Sequence, residues 1–426
     1  MLLIIISLIS VKFYYLYITN LSAAYSNEIA YNNGDSSHYL KIGKNISDFN
    51  VYSDTNSKIN SESATWRPPF WPFILSVLFK FTNNPLVLIV LKSILEVFII
   101  GLILFRFKNE ANLKFIYLLP FLIVFIEPQY LKYSINFLSE SLSAILILGL
   151  TIFFASLNKT KRYHIAIPII ASMIILCHPV SIFFVISLFI IYLVFILKSN
   201  FVVALVHGLL FSILVLAWPY RNYVTFDKGF YLTASQGATF SKGWNEKVAT
   251  QFTNVDGDLA DENLNLKFVD SSLLSQSENS VLAMSKLYTI GTKKFINEIP
   301  FQEKINIGLK KLISNFNPFP EKPKPGFLET LSIFFRILYL VTFVQMIFRF
   351  FRKEKIDFNC MKDRIYLVVL AVFIGQTVMS VYVYTGLRFN SIYSLTLLFC
   401  FVYINNEFLR KSLKKRMPFT IQKRIN

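Results

Sequence analysis

The sequence predicts an all-α polytopic membrane protein, and three observations predict it. The 426 residues are 54% hydrophobic, with mean hydropathy +0.51. Only 16% are charged, whereas a soluble domain carries about 25%. The apolar residues, 44 Phe among them, gather into runs long enough to cross a bilayer, which takes about 20 residues each. The net charge of +18 falls in short segments between those runs, so it reports topology and argues against nucleic-acid binding. Cys177, Cys360 and Cys400 lie in or near apolar runs, with no metal spacing and no disulfide framework.

Runs near 1–19, 85–105, 113–130, 135–156, 201–219, 327–350, 364–384 and 388–407 each read as a span. The stretch 163–197 is too long for one span and breaks at His178-Pro179, so it reads as two, for a total of about ten. The loops 106–114, 158–164, 198–200 and 349–364 and the tail from 408 then share one side. They hold about twenty Lys and Arg, which makes that side cytoplasmic. The acidic segments 28–62 and 227–329 fall on the opposite side. The first run reads as an uncleaved anchor in which Lys12 snorkels to a membrane face.

This divides the chain into a transmembrane module (1–219) with a long first outer loop (20–84), an outer segment (220–326), C-terminal spans (327–409) and a basic cytoplasmic tail (410–426). In the first loop, Gly34 allows a tight turn, and Asp35 suits the cap of a helix over SSHYLKIGKNI. TWRPPFWPFILSVLFKF, residues 65–81, is apolar, opens on prolines and is too short to span. Both elements read as helices lying at the membrane interface. In the outer segment, GTKKFINEIPFQEKINIGLKKLISNF has helical apolar spacing, and NPFPEKPKPG links it to the next span.

Several ionisable residues fall where water meets lipid. Asp35 is one, with helix capping as its plainer role, and Arg67 is another, with headgroup anchoring as its plainer role. Glu127 and Glu140 lie at the outer ends of spans, where ionisable groups are costly and usually face a cavity. Glu127, in the IEPQY turn, reads as an interface residue. His178 ends a span, either as a polar donor or as the cap of a proline-broken helix pair. Asp256, Asp258 and Asp261 in NVDGDLADENLN resemble part of a calcium loop but lack its closing Glu, so they read as a solvated turn.

GDSSHYLKIGKN followed by RPPFWPFILSVLF resembles the first extracytoplasmic loop of GT-C glycosyltransferases. The branch it is similar to is the bacterial one related to protein O-mannosyltransferases and lipid A aminoarabinose transferases. Three further stretches agree in order: YSINFLSESLSAILIL (133–148), AWPYRNYVTFDKGFYLTASQGATFSKGWN (217–245) and VYTGLRFNSIYSLTLL (383–398), the last without the family's proline. The resemblance implies a GT-C fold and an enzyme in the bacterial cytoplasmic membrane with its site on the outer face. That enzyme would move a sugar from a polyprenyl-phosphate donor to a glycan, lipid or protein acceptor, with inversion.

On that resemblance Asp35 and Glu140 are the catalytic carboxylates. Arg67, Arg221, Arg388 and His178 would hold the donor phosphate, for which guanidinium groups are suited. Tyr39 and His38 would contact substrate. Asp35, Glu140 and His38 could also serve a divalent metal, although no spacing requires one. Two other classes compete: a polymerase or ligase using polyprenyl-pyrophosphate glycans, and a transporter or flippase of lipid-linked sugars. A transporter would be expected to show repeated halves, and the His178-Pro179 break has no counterpart elsewhere.

Overall fold

A computed structural model of the chain describes residues 9–12, 14, 34–55, 58–110, 126–157, 165–197, 200–250, 254–255, 258–259, 265–277, 280–318, 327–352, 356–358 and 360–416. Most of the first predicted span, residues 113–125 of the third and the end of the basic tail lie outside these. So do Asp256, Asp261 and most of the proline-rich linker.

The described chain is a bundle of apolar helices with a helical segment after α8, called the outer segment after its predicted side. The helices of the bundle are α3 (Pro85–Glu110), α5 (Glu140–Ala155), α6 (Ala166–Cys177), α7 (Ile182–Leu197), α8 (Phe201–Phe226), α14 (Phe327–Phe351), α15 (Met361–Tyr382) and α16 (Leu387–Arg416). Four stretches are long and apolar enough to cross a membrane: Pro85–Asn109, Phe201–Phe226, Thr330–Phe351 and Met361–Tyr382. Helices α5, α6 and α7 are equally apolar but shorter. The break between α6 and α7 falls at His178, which is extended (φ −147°, ψ 99°) and leads into a 3-10 turn over Pro179–Ser181. Proline disfavours a helical conformation in the residue before it.

Helices α3, α5, α14 and α16 run one way and α15 the other, as contacts near their ends show. At one end Arg388 reaches Glu140, and the Trp244 indole donates to the Val381 carbonyl (3.0 Å). At the other end Arg364 Nε donates to the Ala155 carbonyl (2.8 Å), Arg349 pairs with Asp363 (2.9 Å), and Phe107 packs edge-on against Phe399.

Three expectations are corrected. Residues 126–130 do not end a span. Glu127 instead accepts from the Tyr130 amide (2.6 Å) and caps a separate short helix, α4 (Pro128–Ser134), so it is fully buried rather than interfacial. The helix over 135–156 begins only at Glu140. Lys12 does not snorkel; it is buried against Glu96 on α3.

The first outer loop builds α1 (Gly34–Phe49), a 3-10 turn (Ser63–Trp66) and α2 (Phe70–Phe79). Gly34 opens α1 at φ +56°, a conformation that favours glycine. Asp35 therefore sits inside the first turn instead of capping it, and its carboxylate is free to point elsewhere. Pro69 is the residue before α2 and Pro72 stands in its first turn, where a missing N–H costs no helical hydrogen bond. On α2, Trp71, Leu75 and Phe79 are buried while Phe73 and Val77 face outward, and the Trp71 indole donates to the Phe137 carbonyl (2.7 Å). Asn45 staples the loop by donating to the Ser53 and Thr55 carbonyls.

The outer segment contains α9 (Gln236–Gly243), α10 (Glu246–Thr250), α11 (Ser271–Ser277), α12 (Val281–Glu298) and α13 (Phe301–Phe316). Pro300 separates the last two, since it cannot donate a helical N–H. A three-stranded antiparallel patch joins β1 (Asn254–Val255) to β2 (Asp258–Leu259) and β2 to β3 (Thr385–Gly386). The outer segment thus grips the connection between α15 and α16. Lys311 Nζ donates to the Val383 carbonyl (2.8 Å), and Gly243 lies so close that a Cβ there would meet that carbonyl oxygen at 1.6 Å.

Candidate functional site

Residues distant in sequence meet at the end of the bundle that carries the first outer loop. The start of α1 brings Asp35, the extended residue after the 3-10 turn brings Arg67, and the start of α5 brings Glu140. The α6–α7 break brings His178, and the first turn of α16 brings Arg388. Asp35 Oδ1 accepts from Arg67, and Oδ2 accepts from Arg388 Nη1 at 2.6 Å. Arg388 Nε donates to Glu140, so one guanidinium bridges both carboxylates. His178 Nε2 stands 3.7 Å from the same Glu140 oxygen.

A second layer orients Arg67. Its Nε donates to His38 Nδ1 (3.1 Å), which must therefore be an acceptor. His38 then carries its proton on Nε2 and donates it to Asp54 Oδ2 at 2.9 Å. Asp54 also accepts from the hydroxyls of Ser61 (2.6 Å) and Ser63 (2.5 Å). The Arg67 guanidinium stacks 5.2 Å over the Tyr39 ring, and the Tyr39 hydroxyl lies 3.2 Å from Ser139 Oγ.

Exposure separates the members. The side chains of Asp35 and Arg388 are 32% and 28% exposed, whereas Glu140 is at 0%. Glu140 Oε2 and His178 Nδ1 are buried with no hydrogen-bond partner. Burial would raise the Asp35 carboxyl, but Arg67 and Arg388 outweigh it and hold the group below the usual aspartate value. Burial likewise opposes ionisation of Asp54, and the His38 and serine hydrogen bonds overcome it, leaving Asp54 well below its ordinary value. Burial pushes the Tyr39 phenol up to about 12 against the pull of Arg67, so Tyr39 is a neutral hydroxyl at physiological pH.

Asp35, Glu140, Arg67, Arg388, His178, His38 and Tyr39 are all brought together. Arg221 is not among them. It stacks on Tyr52, Trp218 and Phe226 and donates to Asn222 (3.1 Å), touching no carboxylate of the cluster. Its link to the site is indirect, through the Tyr52 hydroxyl, which donates to the Arg67 carbonyl (3.0 Å). Asp54 is a member that sequence reasoning missed, because it stands in a polar stretch where nothing marks it. Among the described residues, no three His, Cys, Asp or Glu side chains gather in a way that could hold a metal ion.

The arrangement offers an ionised carboxylate that water can reach, beside two guanidiniums in the same opening. It can bind an anion and accept a proton next to it. Compared with family models, curated proteins and solved structures, the chain matches none.

Proposed function

We propose that this protein is an inverting glycosyltransferase of GT-C type. It takes a sugar from a polyprenyl-phosphate donor and passes it to a cell-envelope acceptor on the outer face of the membrane, within a bundle of about ten spans. The observation that supports this best is the bridging of Asp35 and Glu140 by Arg388, with Arg67 on the far side of Asp35.

In the free protein Asp35 is a weak base, because both guanidiniums hold its charge. A donor phosphate entering the opening competes for Arg67 and Arg388. As their hydrogen bonds turn to the phosphate, Asp35 loses cationic contacts and gains an anionic neighbour, and both changes raise its proton affinity. Asp35 then removes the proton from the acceptor hydroxyl, whose oxygen attacks the anomeric carbon from the side opposite the phosphate. The bond from that carbon to the phosphate oxygen breaks, and its electron pair leaves as charge on the lipid phosphate, which the arginines neutralise. Glu140, buried beneath Arg388, acts through that arginine as a positioning residue.

The test is transfer from labelled polyprenyl-phosphate sugars in membranes containing wild type or Asp35→Asn. Label should leave the lipid only with wild type. Near-normal turnover by the variant removes Asp35 as base, and no release by either protein from several donors removes the transferase reading.

A further inference from the structure

Helix α13 (Phe301–Phe316) is patterned inside out. An amphipathic helix of a soluble domain turns its apolar stripe to the core. Here Phe301, Ile305, Leu309 and Ile313, which helical geometry puts on one face, are all exposed, Phe301 at 75% and Ile313 at 64%. The opposite face, turned to the protein, buries Ile307 and Lys311. Lys311 is held there by the Trp244 ring, 4.1 Å away, and by the Val383 carbonyl. The helix thus buries an ammonium group and leaves its apolar stripe uncovered by protein.

The contacts of α13 fix how deep it reaches. Lys311 bonds to Val383, the residue after the end of α15 at Tyr382. Beyond it, the Asn315 carbonyl accepts from Asn390 (3.1 Å), whose Oδ1 accepts from Gln376 on α15 (3.3 Å). Phe316 then stacks on Phe373 of α15 (5.4 Å) and meets Phe343 of α14 edge-on (5.7 Å). At a rise of about 1.5 Å per residue, Gln376 and Phe373 stand about 9 and 14 Å inward from Tyr382. The stretch Met361–Tyr382 is itself long and apolar enough to cross a membrane, whose hydrocarbon layer is about 30 Å thick. Helix α13 therefore runs down along the bundle, and its last turn stands about a third to a half of the way through that layer.

The helices it packs against turn apolar side chains outward at the same depth: Val341 and Val344 on α14, Ile374 and Val378 on α15. The stripe thus stands in a surface that lipid covers. Ile313 falls within the hydrocarbon, and Leu309 and Ile305 approach the headgroups. Lys304 and Lys310, on the two flanks of the stripe, can reach phosphate from there.

We infer that α13 is a lipid-embedded helix and not part of a water-exposed domain. It enters the bilayer beside α14 and α15, and acyl chains of the leaflet next to the outer segment cover its stripe from Ile313 toward Phe301. The inference rests on the spans and is independent of the transferase reading.

The test places single cysteines in a Cys360→Ser background, where Cys177 and Cys400 are buried. Full-length Ile313→Cys, Leu309→Cys and Phe301→Cys are labelled with bimane in phosphatidylcholine nanodiscs. Two quenchers are compared, a nitroxide on the lipid acyl chain and iodide in the water. Phe348→Cys, on the exposed face of α14, is the lipid control, and Ser275→Cys, exposed on α11, is the water control. Ile313→Cys should lose most of its emission to the nitroxide and little to iodide, like Phe348→Cys. The loss to nitroxide should fall from Ile313 through Leu309 to Phe301. Where a cysteine variant does not fold, wild type photolysed with a phosphatidylcholine carrying a diazirine on its chain should be labelled within 305–313. Iodide quenching at Ile313→Cys as strong as at Ser275→Cys overturns the inference. So does quenching by neither agent, which would mean that a second protein copy covers the stripe, or a wild type labelled on α14 but not within 305–313. Absence of sugar transfer leaves each of these results standing.

Discussion

Two clusters of charge are buried in this bundle, built from similar groups to different ends. Around Glu96 on α3, every bond is closed within the protein. Oε1 accepts from Ser141 (2.6 Å) and stands 3.1 Å from Lys92, while Oε2 pairs with Lys12 and accepts from Tyr130 (3.4 Å). Lys92 donates further to the Ser134 carbonyl (2.7 Å) and Ser141 Oγ (2.9 Å). No side chain of that trio exceeds 4% exposure. Around Asp35 the pairs are as tight but open to solvent, and two buried polar atoms stay unpartnered. A closed set of charges fixes helices against one another; an open one keeps hydrogen bonds that a ligand can take over.

Exchanging the damage between the clusters tests that contrast most strongly. Glu96→Gln leaves two ammonium groups buried without a counter-charge, a loss of about 3–5 kcal/mol. It should appear as a lower melting temperature and poor yield in detergent. Asp35→Asn removes a partly exposed counter-charge, so it should melt below wild type but well above Glu96→Gln, and lose activity by about 10²–10⁴, the range of a general base. Equal melting losses in the two variants would erase the distinction.

Within the open cluster, Arg67→Ala should lower kcat/KM for the donor by about 10- to 100-fold, as expected for charged hydrogen bonds. Arg67→Lys should lose less, since a point charge still attracts phosphate. Equal and mild effects would make Arg67 a membrane anchor.

Gly243→Ala reaches the same cluster from outside. Its new Cβ must displace the Val383 carbonyl, so amide exchange should rise across 381–388 and activity should fall by a smaller factor than for Arg67→Ala. Unchanged exchange would detach the outer segment from the site.

The smallest effect concerns pH. Asp35 and Asp54 are both held below their ordinary value, so their stabilising contribution is full above about pH 3.9 and lost as pH falls through their lower folded values. Amide exchange of the first outer loop should stay flat down to about pH 4 and rise only below it. On the same ground, kcat/KM should show no acid limb between pH 5 and 8 from Asp35, because that ratio reports the free enzyme. Loosening of the loop near neutral pH would contradict the ion-pair account.

The bundle was legible because hydropathy needs no partner: apolar runs mark α3, α8, α14 and α15, and Pro179 marks its own break. Glu127 misled because IEPQY reads as a turn, while its actual burial depends on α4 folding under α14 and α16. Lys92 and Glu96, four residues apart on one helical face, were visible but diluted in a long apolar run. Lys12, the partner that closes their cluster, lies 84 positions from Glu96 in the chain. At the site, Arg67, Arg221 and Arg388 give the same signal, an arginine near the end of an element. Only the fold separates them, turning two toward Asp35 and the third onto aromatic rings.

The grip of the outer segment on 381–386 places Arg388 two residues beyond a clamped strand. Trp244, Lys311 and β2 hold that stretch from three directions. The outer segment and the arginine are therefore in mechanical series: a rotation of one becomes a displacement of the other, with little slack between. A molecule that merely leans on that segment thereby has a lever on the cation that bridges Asp35 and Glu140.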